Sequence, residues 1–300
     1  LLAAVKAGKH VFMEKPVAVD PPGARHIMES GKMADTKGLK VVAGTQRRHS
    51  SAYQAQAKAI QDGTVGKILG GSVSWCGGRL WYKDRNPGES DADYLIRNWV
   101  SFAEMSGDHI AEQHVHNLDV ANWFMGATPL AAIGFGGRAR RITGNQFDFF
   151  NIDLNYGDGV TIHSMCRQVN GCYNRVGETF RTDKATIFGG GKIKMDDKSK
   201  PTLAEFAEFG GPYVQEHVNL LNAVTKDTAL NNTQDVADST LTGIMGRIAA
   251  YSGQMVRWTD LTKNTRSEWY DLTLSPAAAD FETGTVKAPE DDVYPVPGKD

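Results

Sequence analysis

The stretch HVFMEKP, His10 to Pro16, is a short apolar run closed by a charged pair and a proline. Bounded in this way it reads as a buried strand. Before it, Leu1 to Ala7 reads as the last turns of a helix stopped by Gly8. After it, Asp20 and two prolines open a helix over Pro21 to Lys37, with Ala24, Ile27, Met28 and Ala34 turned inward, and KVVAG, Lys40 to Gly44, supplies a second apolar strand. Helix, strand, helix, strand is the rhythm of a parallel α/β sheet.

A further helix runs from Ala52 to Asp62 and stops at Gly63, and from Gly66 the texture changes. Strand patterns recur at Ile68 to Cys76, Leu130 to Arg141, Phe147 to Tyr156, Val160 to Gln168, Asn174 to Thr182 and Ala185 to Phe188, with turn signals such as Gly157 to Gly159 between them. That density predicts a second, mostly antiparallel sheet. Gly189 to Gly191 matches a hairpin turn, since no helix follows it as a phosphate loop requires. Long helices return at Val214 to Thr225 and Val236 to Met255, and from Pro276 the mixture of Pro, Gly and acids reads as an extended tail.

With 300 residues, 41% of them hydrophobic, the chain can build a sizeable core divided between two domains. Its 33 basic and 35 acidic residues form no long like-sign run, so neither nucleic acid nor an anionic membrane is an expected partner. No apolar run approaches the roughly 18 residues of a membrane span. Cys76, Cys166 and Cys172 are an odd number without CxxC spacing, which points to packed thiols and not to a disulfide framework or zinc knuckle. The opening lacks an initiator Met and starts in mid-helix, so the sequence reads as a fragment. The compartment stays open between cytoplasm and periplasm.

Three segments carry residues suited to chemistry. Glu14-Lys15-Pro16 falls at the carboxyl end of the first strand, where open α/β sheets hold ligands, and Pro16 keeps Lys15 extended. A surface lysine is the competing account. In EQHVHNLD, Glu112 to Asp119, a strand would put Glu112, His114 and His116 on one face as metal ligands. However, SGDHIAEQHVHNLDVANWFMG has a cap at Ser106 or Asp108, about four turns free of proline, and a stop at Gly126, so the expectation is a helix and no metal site. On that helix Glu112 sits one turn before His116, the spacing by which a carboxylate orients an imidazole as general base, and equally that of a plain helix-face ion pair. GTQRRH, Gly44 to His49, places an amide and two guanidiniums at the second strand's carboxyl end. The aromatic and basic clusters RLWYKDR, Arg79 to Arg85, and IRNW, Ile96 to Trp99, could line a sugar pocket or simply pack.

Taken in order, AGKHVFMEKP, GTQRRHSSAY, DGTVGKI, DHIAEQHVHNLDVANWFMG, YVQEHVNLLNAV and STLTGIMGRIAAYSG resemble the Gfo/Idh/MocA family of NAD(P)-dependent oxidoreductases over roughly residues 1 to 260. The resemblance implies an α/β fold in which residues 1–50 are the remaining C-terminal part of a Rossmann dinucleotide-binding domain, whose GxGxxG turn is not in this sequence. Residues 51–275 would be a substrate and oligomerisation domain with a large, mostly antiparallel open sheet, and 276–300 the tail. It implies catalysis by Lys15 and His116, with Glu112 standing where the family more often has Asp. His116 would accept the proton of a secondary hydroxyl of a sugar, inositol or related polyol, Lys15 would stabilise the developing charge, and Asp119 and Tyr82 would touch the substrate. NAD or NADP would lie against Glu14, Lys15, Pro16, Gln46, Arg47 and Trp99. The expected partners are a small carbohydrate and further copies of the chain, as dimer or tetramer. Two alternatives are a glycosidase or lyase working through transient sugar oxidation, and a non-catalytic sugar-binding or scaffold protein. The sequence does not say which sugar, which carbon, or which of the two dinucleotides.

Overall fold

The computed structural model describes residues 1–298; the last two residues of the expected tail lie outside it. Leu2–Lys6 (α1), Val11–Met13 (β1), Pro21–Thr36 (α2) and Val41–Ala43 (β2) follow as the sequence predicts, and β1 pairs with β2 in parallel, Val11 opposite Val41. Asp20 starts α2 by accepting the Gly23 amide at 2.8 Å, with Pro21 at a position whose missing N–H costs nothing. Val5, Ala34, Leu39 and Val41 close a small core under this pair. The Gly44 amide donates to the Met13 carbonyl at 2.9 Å, so both strands end together. Glu14-Lys15 and the short 3-10 turn Gln46–His49 therefore leave the sheet side by side.

Next come Ser51–Gln61 (α3), Ile68–Gly77 (β3), Asp91–Arg97 (α4), Ala103–Ser106 (α5), His109–Glu112 (α6) and Val115–Met125 (α7). Four strands follow, Ala131–Gly137 (β4), Phe149–Asn155 (β5), Thr161–Gln168 (β6) and Arg175–Thr182 (β7), then Ala185–Phe188 (β8) and Ile193–Met195 (β9). Pro212–Thr225 (α8), Thr233–Ser252 (α9), Val256–Arg257 (β10), Trp258–Thr262 (α10) and Ala278–Thr283 (α11) complete the chain. The large sheet has eight strands in the order β10-β4-β5-β6-β3-β7-β8-β9; β3 and β6 pair in parallel and the other neighbours antiparallel.

Period-two alternation decides which face of this sheet is covered. Phe150, Ile152 and Leu154 of β5, Ile162 and Cys166 of β6 and Phe180 of β7 are buried in the main core with α7 and α9. The opposite face leaves Leu69, Ile133 and Phe135 more than half exposed. No helix of the described residues is long and apolar enough to cross a membrane.

Two expectations need correction. The tail is not wholly extended, because Ala278–Thr283 coils into α11. More consequentially, the helix expected from its Asp108 cap across the EQHVHNLD segment is two pieces, α6 and α7, with the separate short α5 before it. Gly107 at φ 79° and Asp108 at φ 68° end α5 in the left-handed region, and the Asp108 carboxylate then caps the His109 amide at 2.5 Å. A second interruption, at Gln113 and His114, separates α6 from α7. There tertiary contacts outweigh helix propensity. His114 Nε2 lies 2.8 Å from Ser164 Oγ, and Gln168 Nε2 donates to Gln113 Oε1 at 3.0 Å, both partners on β6.

Candidate active site

The broken helix changes what Glu112 does. Glu112 closes α6 while His116 belongs to α7, so the one-turn relation expected between them does not form. Glu112 pairs instead with Lys15, whose Nζ donates to the Glu112 carbonyl at 2.6 Å and to its Oε1 at 3.1 Å. Only 15% of the Lys15 side chain and 13% of the Glu112 side chain are exposed, so the pair is largely shielded from solvent. An ammonium has three protons and this one has two acceptors, which leaves a donor for a ligand. The Lys15–Pro16 peptide is cis.

His116 is 8% exposed, and its ring lies tilted by 31° against Trp75 of β3 with centroids 5.9 Å apart. Its Nδ1 is buried without a partner. Burial first, then the positive charges of Lys15 and Arg47 and the nearby His114, hold its pKa down to about 3. The imidazole is thus neutral, in the proton-accepting form, throughout the physiological range. Proton NMR titration of the His116 ring from pH 8 to 5 is expected to show no midpoint; one near 6.5 would contradict this environment.

Arg47 closes the other side, with its Nη1 2.5 Å from Glu178 Oε1 and its guanidinium carbon 5.7 Å from the Trp75 ring. It is therefore not the free cation the sequence suggested for a dinucleotide. Glu178, 3% exposed, also accepts from Asn117 Nδ2 at 2.5 Å and Tyr53 Oη at 3.0 Å. Gly189 makes room for it, since a Cβ there would stand 2.1 Å from Glu178 Oε2.

Glu14 lies over the backbone of Gly44, where an added Cβ would come within 2.3 Å of its Oε2. Its charge reaches Glu216 on α8, and burial followed by that repulsion raises the Glu216 carboxyl to about 7. The folded chain thus keeps a proton that the unfolded chain releases near 4.5, so this group costs stability as pH rises from 4.5 through 7. Glu216→Gln should lift that cost, gaining up to about 3 kcal/mol over wild type between pH 5 and pH 8. Urea unfolding at the two pH values reads it; an equal difference at both would contradict it.

The remaining expected site residues go elsewhere. Asp119 is 1% exposed, its Oδ1 accepting from Arg48 Nε at 3.0 Å and Ser239 Oγ at 2.8 Å and its Oδ2 from Arg48 Nε at 2.9 Å. Gln46 donates to Tyr213 Oη at 3.1 Å while its Oε1 is buried without a partner. Trp99 packs edge-on against Trp81 at 5.7 Å, and Tyr82 lies beneath the Arg79 guanidinium at 4.0 Å. Trp75, Asn117, Glu178 and Glu216 were not read as site residues. Nothing in the spacing of SVSWC or RVGE links those strands to α7; only the sheet order brings them under it. Among the described residues no group of three or more His, Cys, Asp or Glu side chains is arranged to hold a metal ion.

Strands β1 and β2 thus end together beside the Lys15 ammonium, whose charge acts on the neutral His116 imidazole. Residues 53–190 match the model of the family described as GFO/IDH/MocA C-terminal domain. Among curated relatives, inositol 2-dehydrogenase of Pseudomonas syringae pv. syringae (strain B728a) is 44% identical over 125 residues, 42% of this chain and 31% of that protein. The 2,7-anhydro-N-acetylneuraminate hydratase of Escherichia coli (strain K12) is 28% identical over 162 residues, 53% of this chain and 39% of that protein. The chain thus matches less than half the length of either. The WlbA dehydrogenase of Bordetella pertussis, solved in complex with NADH and UDP-GlcNAcA, superposes with a TM-score of 0.63 at 20% identity, over 85% of this chain and 74% of that one. That likeness is one of fold.

Proposed function

We propose that this chain is part of an oxidoreductase that takes hydride from a secondary hydroxyl of a sugar, inositol or related polyol, with NAD or NADP as acceptor. The observation that carries the reading is Lys15, at the end of β1, bonded to Glu112 and acting electrostatically on the neutral His116. Glu14, Lys15 and Pro16 directly follow β1, where a dinucleotide would lie beyond the ends of parallel strands, and the missing Cβ of Gly44 lets Glu14 lie close to the backbone there. When bound, the nicotinamide supplies the hydride acceptor. His116 takes the hydroxyl proton, and Lys15 turns its spare proton to the same oxygen and stabilises the charge growing on it. Glu112 holds the Lys15 ammonium in place, a positioning role in place of the one expected toward His116. The similarity to an inositol 2-dehydrogenase supports a polyol substrate.

The half-exposed Leu69, Ile133 and Phe135 on the sheet's uncovered face support a homo-oligomer, dimer or tetramer. A second reading, chemistry through transient oxidation with no net redox change, is favoured by the similarity to a hydratase. The natural-length protein, mixed with myo-inositol or aldoses and either dinucleotide, tests both. Saturable appearance of reduced nicotinamide supports the dehydrogenase, product without it supports the second reading, and no turnover with any combination contradicts both.

A further inference from the structure

Ser164 and Gln168 sit at inward positions of β6, in a row with Ile162 and Cys166, and each is 1% exposed. Polar side chains on a buried strand face lower stability unless they are bonded. Both are bonded, and to one short segment. Ser164 Oγ lies 2.8 Å from His114 Nε2, and Gln168 Nε2 donates to Gln113 Oε1 at 3.0 Å. Gln168 is fixed from behind as well, because its Oε1 accepts from Arg141 Nη2. Arg141 is itself held by Asp148 at 3.3 Å and by the Phe147 carbonyl at 3.1 Å. His114 is fully buried, and burial above all holds its pKa down to about 3, so its contact with Ser164 joins two uncharged groups.

That segment is where the helix comes apart. The His109 carbonyl accepts from the amides of both Gln113 and His114, at 3.0 Å each, so the last turn of α6 is a residue too wide. Gln113 stands at φ -105°, ψ -45° and His114 at φ -75°, ψ -11°, the latter ψ well away from the helical value. α6 closes at Glu112, whose carbonyl is among those with no amide to meet within their own helix. It meets the Lys15 ammonium, at 2.6 Å, and the Glu112 carboxylate accepts a second N–H of the same group at 3.1 Å. Both acceptors that hold Lys15 thus belong to one residue, and the placing of that residue aims the ammonium.

The same strand reaches the imidazole. Cys166, between Ser164 and Gln168 on the inward face, is paired with Trp75 of β3, against which the His116 ring lies. Successive inward positions of β6 therefore bear on His114, on Gln113 and, through Trp75, on the surroundings of His116.

We infer that Gln168 and Ser164 are positioning residues for hydroxyl oxidation: by holding Gln113 and His114 out of the helix they end α6 at Glu112 and so fix the direction in which Lys15 points. The inference rests on the proposed reading in which Lys15 stabilises the substrate oxygen, and it adds what aims Lys15. A group displaced by about 1 Å from a reacting atom can lose on the order of 10²-fold in rate.

A double-mutant cycle on the natural-length protein tests it, read in two ways. With saturating dinucleotide and a polyol or sugar that turns over, Gln168→Met, which keeps the side-chain length and removes both polar ends, should lower kcat about 10- to 100-fold and leave KM within about three-fold. In a Lys15→Met background the same change should lower kcat by less than about three-fold, since the residue it acts through is gone. Ser164→Ala should act in the same direction, and it takes the place of Gln168→Met in the cycle should that variant not fold. The second readout needs no turnover: Lys15→Met should lower the melting temperature by less in Gln168→Met than in wild type, because the ammonium no longer sits on Glu112. An unchanged kcat in folded Gln168→Met, a kcat loss of equal size in both backgrounds, or an equal fall in melting temperature in both would overturn the inference. Equal losses beside a slow Lys15→Met would sink it and leave the proposed function standing. A Lys15→Met variant with wild-type kcat would sink the proposed role of Lys15, and the melting cycle alone would then decide whether Gln168 aims that ammonium.

Discussion

Lys15→Met is expected to lower kcat for polyol oxidation by about 10²- to 10³-fold, the usual loss when one preorganised donor to a developing oxyanion is removed. The substitution keeps the length of the side chain and deletes the ammonium, and with it both bonds to Glu112. Because the Glu112 side chain is only 13% exposed, its unpaired carboxylate should also cost stability, so kinetics must be read well below the melting temperature. His116→Ala should lose about 10²- to 10⁴-fold through the missing base. The two losses in combination should fall short of their product, since both groups act on one oxygen. Steady-state rates with saturating dinucleotide check this; Lys15→Met within ten-fold of wild type would remove Lys15 from the chemistry.

Glu178→Ala should destabilise the fold by about 3–5 kcal/mol, the range for removing one member of a buried ion pair. The reason is local. Arg47, Tyr53 and Asn117 all donate to this carboxylate, and without it the Arg47 cation stays buried against Trp75 with no counter-charge. At about 2–4 °C per kcal/mol for a domain of 150–250 residues, the melting temperature should fall by roughly 6–20 °C. The same change should depress the His116 pKa further, since Arg47 would act on the ring unopposed. Thermal unfolding of Glu178→Ala beside Arg47→Met/Glu178→Ala tests the cause: the double variant should recover part of the loss, and a purely additive result would contradict the pairing.

Much of this architecture is legible in the residues themselves. The strands at Val11–Met13 and Val41–Ala43 and the run from Ile68 to Phe188 follow from apolar periodicity and turn residues, which act locally. Ile193–Met195 and Val256–Arg257 are too short to show a period and exist because the sheet edge is there to pair with. The site divides along the same line. Lys15 and His116 stand out because a strand end and a helix are local features. The interruption at Gln113 and His114 depends on Ser164 and Gln168, some fifty residues away, so Glu112 was assigned to the wrong partner. The surroundings of Asp119 were hidden for a like reason, since Arg48 and Ser239 reach it from two other elements.

The central claim is convergence on one alcohol carbon. Its most direct test is a crystal structure of the natural-length protein with reduced dinucleotide and a bound polyol or sugar. Lys15 Nζ and a His116 ring nitrogen should both stand within about 3.2 Å of the same substrate oxygen, on the carbon facing the nicotinamide. A substrate oxygen reached by one of them while the other remains on Glu112 or Trp75 would contradict it.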